Sequence, residues 1–154
     1  MPTWPALCRV TFDSGVYGSP RFSSGHTRGL FLTPQHGKER TMADPRQVNI
    51  DRDPVVVFWE ITLACALACR HCRALAQPKR SPLELSSREC FRVLEELTSF
   101  DHPPIVVLSG GDPFMRRDLF DLVEHGRSLG LPMSVAPSAT ALATRQRLQR
   151  LKDL

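Results

Sequence analysis

The chain has 154 residues, enough for one domain, and its 42% hydrophobic and 23% charged residues are typical of a globular protein with an apolar core. The formal charge is +4, and residues 1–41, with five Lys/Arg and two Asp/Glu, carry +3 of it. The sequence has no basic stripe with interleaved aromatic residues and no apolar run long enough to cross a bilayer. We therefore expect neither nucleic acid nor a membrane as a partner.

Residues 1–41 differ in composition from the rest of the chain. They hold five of the 9 glycines and four of the 13 prolines and show no sustained period of 2 or 3.6, which predicts a disordered N-terminal extension. Two origins are open: an extension without function ahead of a start at Met42, or a targeting segment that contains arginine and few acids. No secretory apolar segment follows the N-terminus, so we expect a cytoplasmic protein whose domain occupies residues 42–154.

Strands and helices alternate after Met42. A β-branched and aromatic run predicts a buried strand over residues 54–62, and a connection of about two dozen residues follows it. The remaining predicted elements are a helix over 86–100 with a Ser86/Glu89 capping box, a strand over 105–108, a helix over 118–130 capped by Asp118, a short strand within 131–140 and a helix capped by Thr144. This β-α-β-α-β-α order predicts an α/β fold with parallel strands, and three such strands are too few to cover their own edges.

Three of the five cysteines, Cys65, Cys69 and Cys72, form a C-x3-C-x2-C pattern in the long connection. In a reducing compartment such a group indicates a metal or catalytic site rather than disulfides. A closed zinc site needs a fourth ligand, and the only nearby candidate, His71, adjoins Cys72, where neighbouring side chains diverge. An iron–sulfur cluster fits better, because three thiolates can hold three irons of a [4Fe–4S] cube and leave the fourth open. Cys90 is expected to be a buried apolar residue.

Further polar motifs follow the other two predicted strands. The turn at residues 110–113, "GGDP", follows the second strand, and Ser138 and Thr140 follow the third. Taken alone, these are an ordinary turn and a turn or helix cap. Because parallel α/β proteins bind ligands at the carboxyl ends of their strands, the three motifs together predict a composite active site. Arg116 and Arg117, at the start of the second helix, are expected to be solvated charges.

The cysteine motif and the glycine turn together resemble the radical S-adenosylmethionine (SAM) superfamily. Its C-x3-C-x-aromatic-C signature reads "CALACRHC" here, with His71 in the aromatic position, and its Gly-Gly-Glu-Pro turn reads "GGDP", with Asp112 in place of Glu. The context "VFWEITLACALACRHCRA" is most similar to members in haem biosynthesis and peptide maturation, often built with a C-terminal SPASM domain. The resemblance covers about residues 54–154 and implies the first three βα units of an incomplete, TIM-like (β/α)6 barrel, that is, a truncated form or fragment.

The resemblance also implies the cofactors. Cys65, Cys69 and Cys72 would ligate a [4Fe–4S] cluster, and SAM would be cleaved reductively to a 5′-deoxyadenosyl radical that takes hydrogen from an unknown substrate. An electron donor such as a flavodoxin or ferredoxin is implied as a partner, as is classification with the oxidoreductases. The alternative is a non-catalytic zinc or iron–sulfur module that acts by association.

Five positions are implied to contact SAM: Gly110, Gly111, Asp112, His71 and Ser138. The two glycines would let the backbone approach the methionine part, and the carboxylate of Asp112 would accept hydrogen bonds from the ammonium group. Backbone near His71 would contact adenine, and Ser138 would face the SAM or substrate pocket. No residue is assigned as a catalytic acid or base.

Overall fold

The computed structural model describes residues 10–12, 49 and 51–154 of the chain. They form one four-stranded sheet in the order β1-β2-β3-β4, with β1 antiparallel to β2 and the other strands parallel. The strands are β1 (Val10–Phe12), β2 (Val56–Thr62), β3 (Ile105–Gly110) and β4 (Met133–Val135). The helices are α1 (Ser87–Leu97), α2 (Leu119–Ser128) and α3 (Arg145–Asp153), and a 3-10 turn covers Pro113–Met115.

The predicted parallel α/β arrangement is confirmed for β2, β3 and β4. Each of these strands is followed by one helix, and each predicted helix and strand is present within a few residues of its expected bounds. Phe58 lies opposite Val107 and Glu60 opposite Ser109 in the register of β2 with β3. The carboxyl ends of the three parallel strands therefore lie along one edge of the sheet.

The described part of the N-terminal segment is a strand. Val10–Phe12 pairs with residues 57–59 and covers part of the outer edge of β2, an edge that would otherwise present unpaired backbone groups. The prediction of a disordered extension does not describe these three residues, and the rest of residues 1–41 lie outside the described residues. Among the described strands, β4 is the other edge of the sheet.

The helices pack against one face of the sheet. Side chains at alternate positions of β2 and β3 are almost completely buried on that face, and they share a core with Cys90, Leu94 and Leu122 of the helices. On the other face, Phe58 is 39% exposed. The strands therefore alternate in burial along their length. None of the described helices is long and apolar enough to span a membrane.

The ends of the helices follow from local hydrogen bonds that the sequence predicts. Ser86 and Glu89 form the predicted capping box at the start of α1, with each side chain bonded to the other residue's backbone N–H. Gly130, at φ 79°, stops α2, and its N–H donates to the carbonyl of Arg127 at 2.9 Å. The hydroxyl of Thr144 accepts from the N–H three residues later, as predicted for the cap of α3.

Arg116 is buried, at 3% exposure, and not the solvated charge expected from the sequence. Its Nε and Nη2 donate to the two carboxylate oxygens of Asp118, at 2.9 and 2.6 Å. Its Nη1 donates to the carbonyls of Ile61 and Leu85, at 3.0 and 3.1 Å. Asp118 makes no side-chain cap bond to α2 and instead accepts from Arg116 and the hydroxyl of Ser87. The pair thus joins the end of β2 to the starts of α1 and α2.

Asp118 should make the fold sensitive to acid. Burial raises the pKa of this carboxyl group, but hydrogen bonds from Arg116 and Ser87 outweigh the effect and lower the pKa from 3.8 to about 2. A carboxyl group whose pKa is lower in the folded state than in the unfolded state stabilises the fold at pH values above its unfolded pKa. This contribution is lost as the pH falls through its pKa in the folded state. We expect a loss of roughly 2 kcal/mol between about pH 4 and about pH 2, measured by urea unfolding.

The Asp118→Asn variant should be less stable at pH 7 and should lack this part of the acid dependence. Asp121→Asn, an exposed position in the first turn of the same helix, is the matched control and should keep the wild-type pH profile. An Asp118→Asn profile that runs parallel to the wild type down to pH 2 would contradict the assignment.

Candidate active site at the carboxyl edge of the sheet

A cavity of about 250 Å³ opens at the carboxyl edge of β2 and β3. Six of the residues that line it are ones singled out from the sequence: Cys65, Cys69, Cys72, Gly110, Gly111 and Ser138. The structure therefore brings together the cysteine motif, the glycine turn and the loop after β4. Two predicted positions, His71 and Asp112, are not among the lining residues.

The loop that carries the cysteines is fixed at its base. The N–H of Gln77 donates to the carbonyl of Leu63 at 2.7 Å, and the N–H of Cys65 donates to the carbonyl of Gln77 at 2.8 Å. Within the loop, the N–H of Cys72 donates to the carbonyl of Cys69 at 3.1 Å. Because both ends of the loop are hydrogen-bonded to each other, its three thiols are held beside one cavity.

The three cysteines are free thiols with different access to solvent. Cys65 is buried, Cys72 is half-buried and Cys69 is exposed. The sulfurs of Cys65 and Cys72 each accept a backbone N–H, from Leu67 and Ala76 respectively, both at 3.4 Å. Hydrogen bonds to sulfur are among the features that tune the reduction potential of an iron–sulfur cluster.

The three thiols line one cavity, but they do not form a compact site for a single ion. Within the part of the chain that the structure describes, no three His, Cys, Asp or Glu side chains are grouped closely enough to hold a single ion. The three cysteines line the same cavity, and a [4Fe–4S] cluster takes one thiolate at each ligated iron. The donor set therefore fits an iron–sulfur cluster.

The two glycines of the turn allow a close approach to the end of β2. Gly110 has φ 135°, and a Cβ there would overlap the carbonyl oxygen of Thr62. A Cβ on Gly111 would lie 2.5 Å from the carbonyl oxygen of Ala64. The N–H groups of Gly111 and Asp112 donate to these same two carbonyls, both at 2.8 Å. The glycines thus build the cavity wall, and their predicted approach to the methionine part of SAM stays a prediction.

Asp112 has an internal role. Its side chain is fully buried, with one oxygen accepting the N–H of Phe114 at 3.0 Å and the other the hydroxyl of Thr140 at 2.6 Å. The carboxylate therefore caps the 3-10 turn and ties it to the loop after β4. The predicted contact between Asp112 and the SAM ammonium stays a prediction, and so does the adenine contact near His71, whose side chain is exposed.

Ser138 connects the glycine turn with the cysteine loop. Its hydroxyl group donates to the carbonyl of Gly111, and the hydroxyl oxygen itself accepts a weak hydrogen bond from the thiol of Cys65 at 3.9 Å. One side chain from the loop after β4 thus contacts both motifs that follow β2 and β3. Ser138 lines the cavity, and its predicted contact with SAM or substrate stays a prediction.

Glu84 anchors the start of the cysteine loop and was not identified from the sequence. Its side chain, 2% exposed, accepts from the hydroxyl of Thr62 at 2.7 Å, the N–H of Leu63 at 3.2 Å and the Nε of Arg80 at 2.7 Å. Burial raises the pKa of Glu84, but these hydrogen bonds outweigh it and the net pKa is lowered. A glutamate in a proline-flanked loop carries no sequence signal for this role.

Three polar or charged residues of the lining were also missed: Glu60, Arg73 and Ser109. The sequence does carry a signal for Glu60. It is the single charged residue in the run "VVVFWEIT", which predicts a buried strand, and a charge in such a position is rare unless it has a partner.

These features define a parallel α/β protein with a cysteine-lined site at the carboxyl edge of its sheet. Residues 59–154, more than half of the chain, match the sequence model of the Radical SAM superfamily. The chain therefore belongs to the radical SAM superfamily, as the two motifs predict. Members of this superfamily use a [4Fe–4S] cluster and SAM.

Curated relatives with similar sequences carry several names. An AdoMet-dependent heme synthase of Nitratidesulfovibrio vulgaris is 35% identical over 118 residues, which is 75% of this chain and 31% of that protein. An Fe-coproporphyrin III synthase of Methanosarcina barkeri is 36% identical over 70% of this chain and 26% of its own length. A PqqA peptide cyclase of Bradyrhizobium diazoefficiens is 40% identical over 65% of this chain and 26% of its own length. The chain thus spans about a quarter to a third of the relatives it matches.

Gly110→Ala should destabilise the protein by roughly 2 kcal/mol or more, because an L side chain at this φ is strained and its Cβ meets backbone that cannot move aside. Gly126→Ala is the matched control, since the three atoms nearest to a Cβ there belong to the flexible side chain of Met133. Thermal or urea unfolding of both variants measures the difference. Equal stability of the two variants would contradict the role given to the glycine turn.

Proposed function

We propose that this chain forms the radical-generating site of a radical SAM enzyme. Cys65, Cys69 and Cys72 would ligate a [4Fe–4S] cluster, and SAM would occupy the adjoining space beside the glycine turn and Ser138. The observation that carries the proposal is the convergence of three free thiols and the glycine turn on one cavity at the carboxyl edge of the parallel strands. The superfamily match supports the same reading.

The cysteines around the cavity would have different roles in the proposed reaction. When bound, the cluster would supply an electron that cleaves SAM to a 5′-deoxyadenosyl radical, which takes a hydrogen atom from the substrate. Cys65, buried and hydrogen-bonded at its sulfur, holds the inner side of the site. Cys69 is exposed and gives the side from which an electron donor such as a flavodoxin or ferredoxin would approach. Oxidoreductase chemistry follows from this electron transfer.

The sheet supports the finer fold that we propose, the first three βα units of a (β/α)6 barrel. The helices cover one face of β2 and β3, while Phe58 and Glu60 are at alternate positions on the other. In a barrel of parallel strands the uncovered face would be the interior, and the cavity would open at its carboxyl end. The substrate would then reach the site from the inside of the barrel.

The relatives support the radical-generating step more than a particular substrate. Proteins named heme or coproporphyrin synthases and a protein named a peptide cyclase share this part of the sequence. We therefore assign to the chain the step that such different substrates would have in common.

We place the protein in the cytoplasm, where reducing conditions keep thiols available as metal ligands. A zinc or iron–sulfur module without catalysis is the less favoured alternative, since the chain matches a superfamily whose members use SAM together with the cluster.

The cysteine assignment is tested by anaerobic reconstitution with iron and sulfide, followed by electron paramagnetic resonance with and without SAM. Wild-type protein should show the signal of a reduced [4Fe–4S] cluster, and SAM should change it. Cys69→Ala should lose the cluster, because one of three thiolate ligands is removed. Cys90→Ala is the matched control and should keep it, since Cys90 is fully buried in the core under the helices.

Two results would contradict the proposal. Binding of one zinc ion per chain, with no cluster signal after reconstitution, would favour the non-catalytic module. Equal loss of iron in Cys69→Ala and Cys90→Ala would show that the ligands are assigned wrongly, provided that circular dichroism shows both variants to be folded.

A further inference from the structure

Glu60 lies on the face of β2 that the described helices leave uncovered, two residues before the strand ends at Thr62. Its neighbours along the strand, Trp59 and Ile61, are buried on the opposite face against the helices. Glu60 is in register with Ser109 of β3, and both side chains line the cavity that the three thiols share. The position therefore places a carboxylate at the floor of the candidate site.

One oxygen of this carboxylate lacks a donor. The Oε2 atom of Glu60 is buried, and none of the described residues donates a hydrogen bond to it. A buried carboxylate oxygen loses its water and costs free energy unless a donor or a cation replaces it. Because Glu60 lines the cavity, a ligand bound there is in reach to supply that donor or cation.

The other acidic side chains near the site do not share this feature. Both oxygens of Asp112 accept hydrogen bonds, as do those of Glu84 and Asp118. Each of these three groups is satisfied within the protein and serves the framework. Glu60 differs from them because it lines the cavity and one of its carboxylate oxygens has no donor among the described residues, a combination that suits a ligand-binding group.

We propose that Glu60 binds the cationic methionine part of SAM. This inference rests on the proposed function, which places SAM in the cavity. SAM carries a positive sulfonium and an amino group that is protonated in solution, and a carboxylate at the floor of a partly enclosed cavity attracts either of them more strongly than it would in open water. Glu60 would thus select SAM over neutral adenosine derivatives and orient its methionine end towards the thiols.

The test is the affinity of the reconstituted protein for SAM, measured by equilibrium dialysis, together with its iron content. Glu60→Gln keeps the shape of the side chain and removes its charge, and it should weaken SAM binding about tenfold, which corresponds to roughly 1.4 kcal/mol. Binding of 5′-methylthioadenosine, which has neither cationic group, should not change. Glu124→Gln, an exposed position on α2, is the matched control and should bind SAM like the wild type.

Two further measurements sharpen the result. S-adenosylhomocysteine keeps the amino group but has a neutral sulfur, so an equal loss of its affinity in Glu60→Gln assigns the contact to the amino group, and an unchanged affinity assigns it to the sulfonium. Glu60→Asp keeps the charge on a shorter side chain and should bind SAM more tightly than Glu60→Gln. A purely structural role would not produce this dependence on the charge of the ligand.

Distinct outcomes would overturn the inference and the proposed function. If Glu60→Gln keeps the cluster and binds SAM with wild-type affinity, Glu60 does not contact its cationic part. If Glu60→Gln loses iron that the wild type holds, Glu60 serves the metal site and the inference is wrong while the proposed function stands. If the wild type itself takes up no cluster, the proposed function fails, and the inference about Glu60 fails with it.

Discussion

The structure depends on how the backbone at the end of β2 is hydrogen-bonded. Four successive carbonyls, those of residues 61–64, accept from four different places in the chain: the guanidinium of Arg116, the N–H of Gly111, the N–H of Gln77 and the N–H of Asp112. Carbonyl groups that leave a strand and enter the interior must find donors, and each one left alone would cost about 1–3 kcal/mol. These hydrogen bonds bring the end of β3, the segment before α2 and the far end of the cysteine loop together at the end of β2.

The same requirement explains residues that look unrelated in the sequence. Gly110 and Gly111 are needed because only a backbone without Cβ atoms comes close enough to donate to the carbonyls after β2. Arg116 is buried because its guanidinium reaches one of these carbonyls and the start of α1 while Asp118 balances its charge. The cysteine cavity therefore follows from the hydrogen bonds that the carbonyls at the end of β2 require. The loop leaves β2, returns to it through Gln77 and lies beside the glycine turn.

The sequence predicts the order of elements, the caps of α1 and α3, and the cysteine and glycine motifs, since each of these rests on local patterns. The predicted side-chain cap at Asp118 does not form, because its carboxylate accepts from Arg116 and Ser87 instead. The capping box at Ser86 and the stop at Gly130 need only residues within one turn of the helix end. The burial of Arg116 could not be predicted, because its partners Ile61 and Leu85 are 55 and 31 residues away in the chain. The internal role of Asp112 depends in the same way on Thr140, which only the fold brings near.

The number of hydrogen-bond partners within the chain separates the polar side chains that fix the shape of the site from those that are available to a ligand. Asp112, Glu84 and Arg116 each have several hydrogen bonds within the chain, so their charges are already balanced and they fix the shape of the site. Cys69 has an exposed thiol, and Glu60 has a buried oxygen to which no described residue donates; both residues line the cavity. One is a soft donor suited to iron and the other a hard acceptor suited to a cation. The lining of the cavity thus combines thiols of the loop after β2 with a carboxylate of the strand itself, which are the donor types that the proposed cluster and the proposed cationic ligand each require.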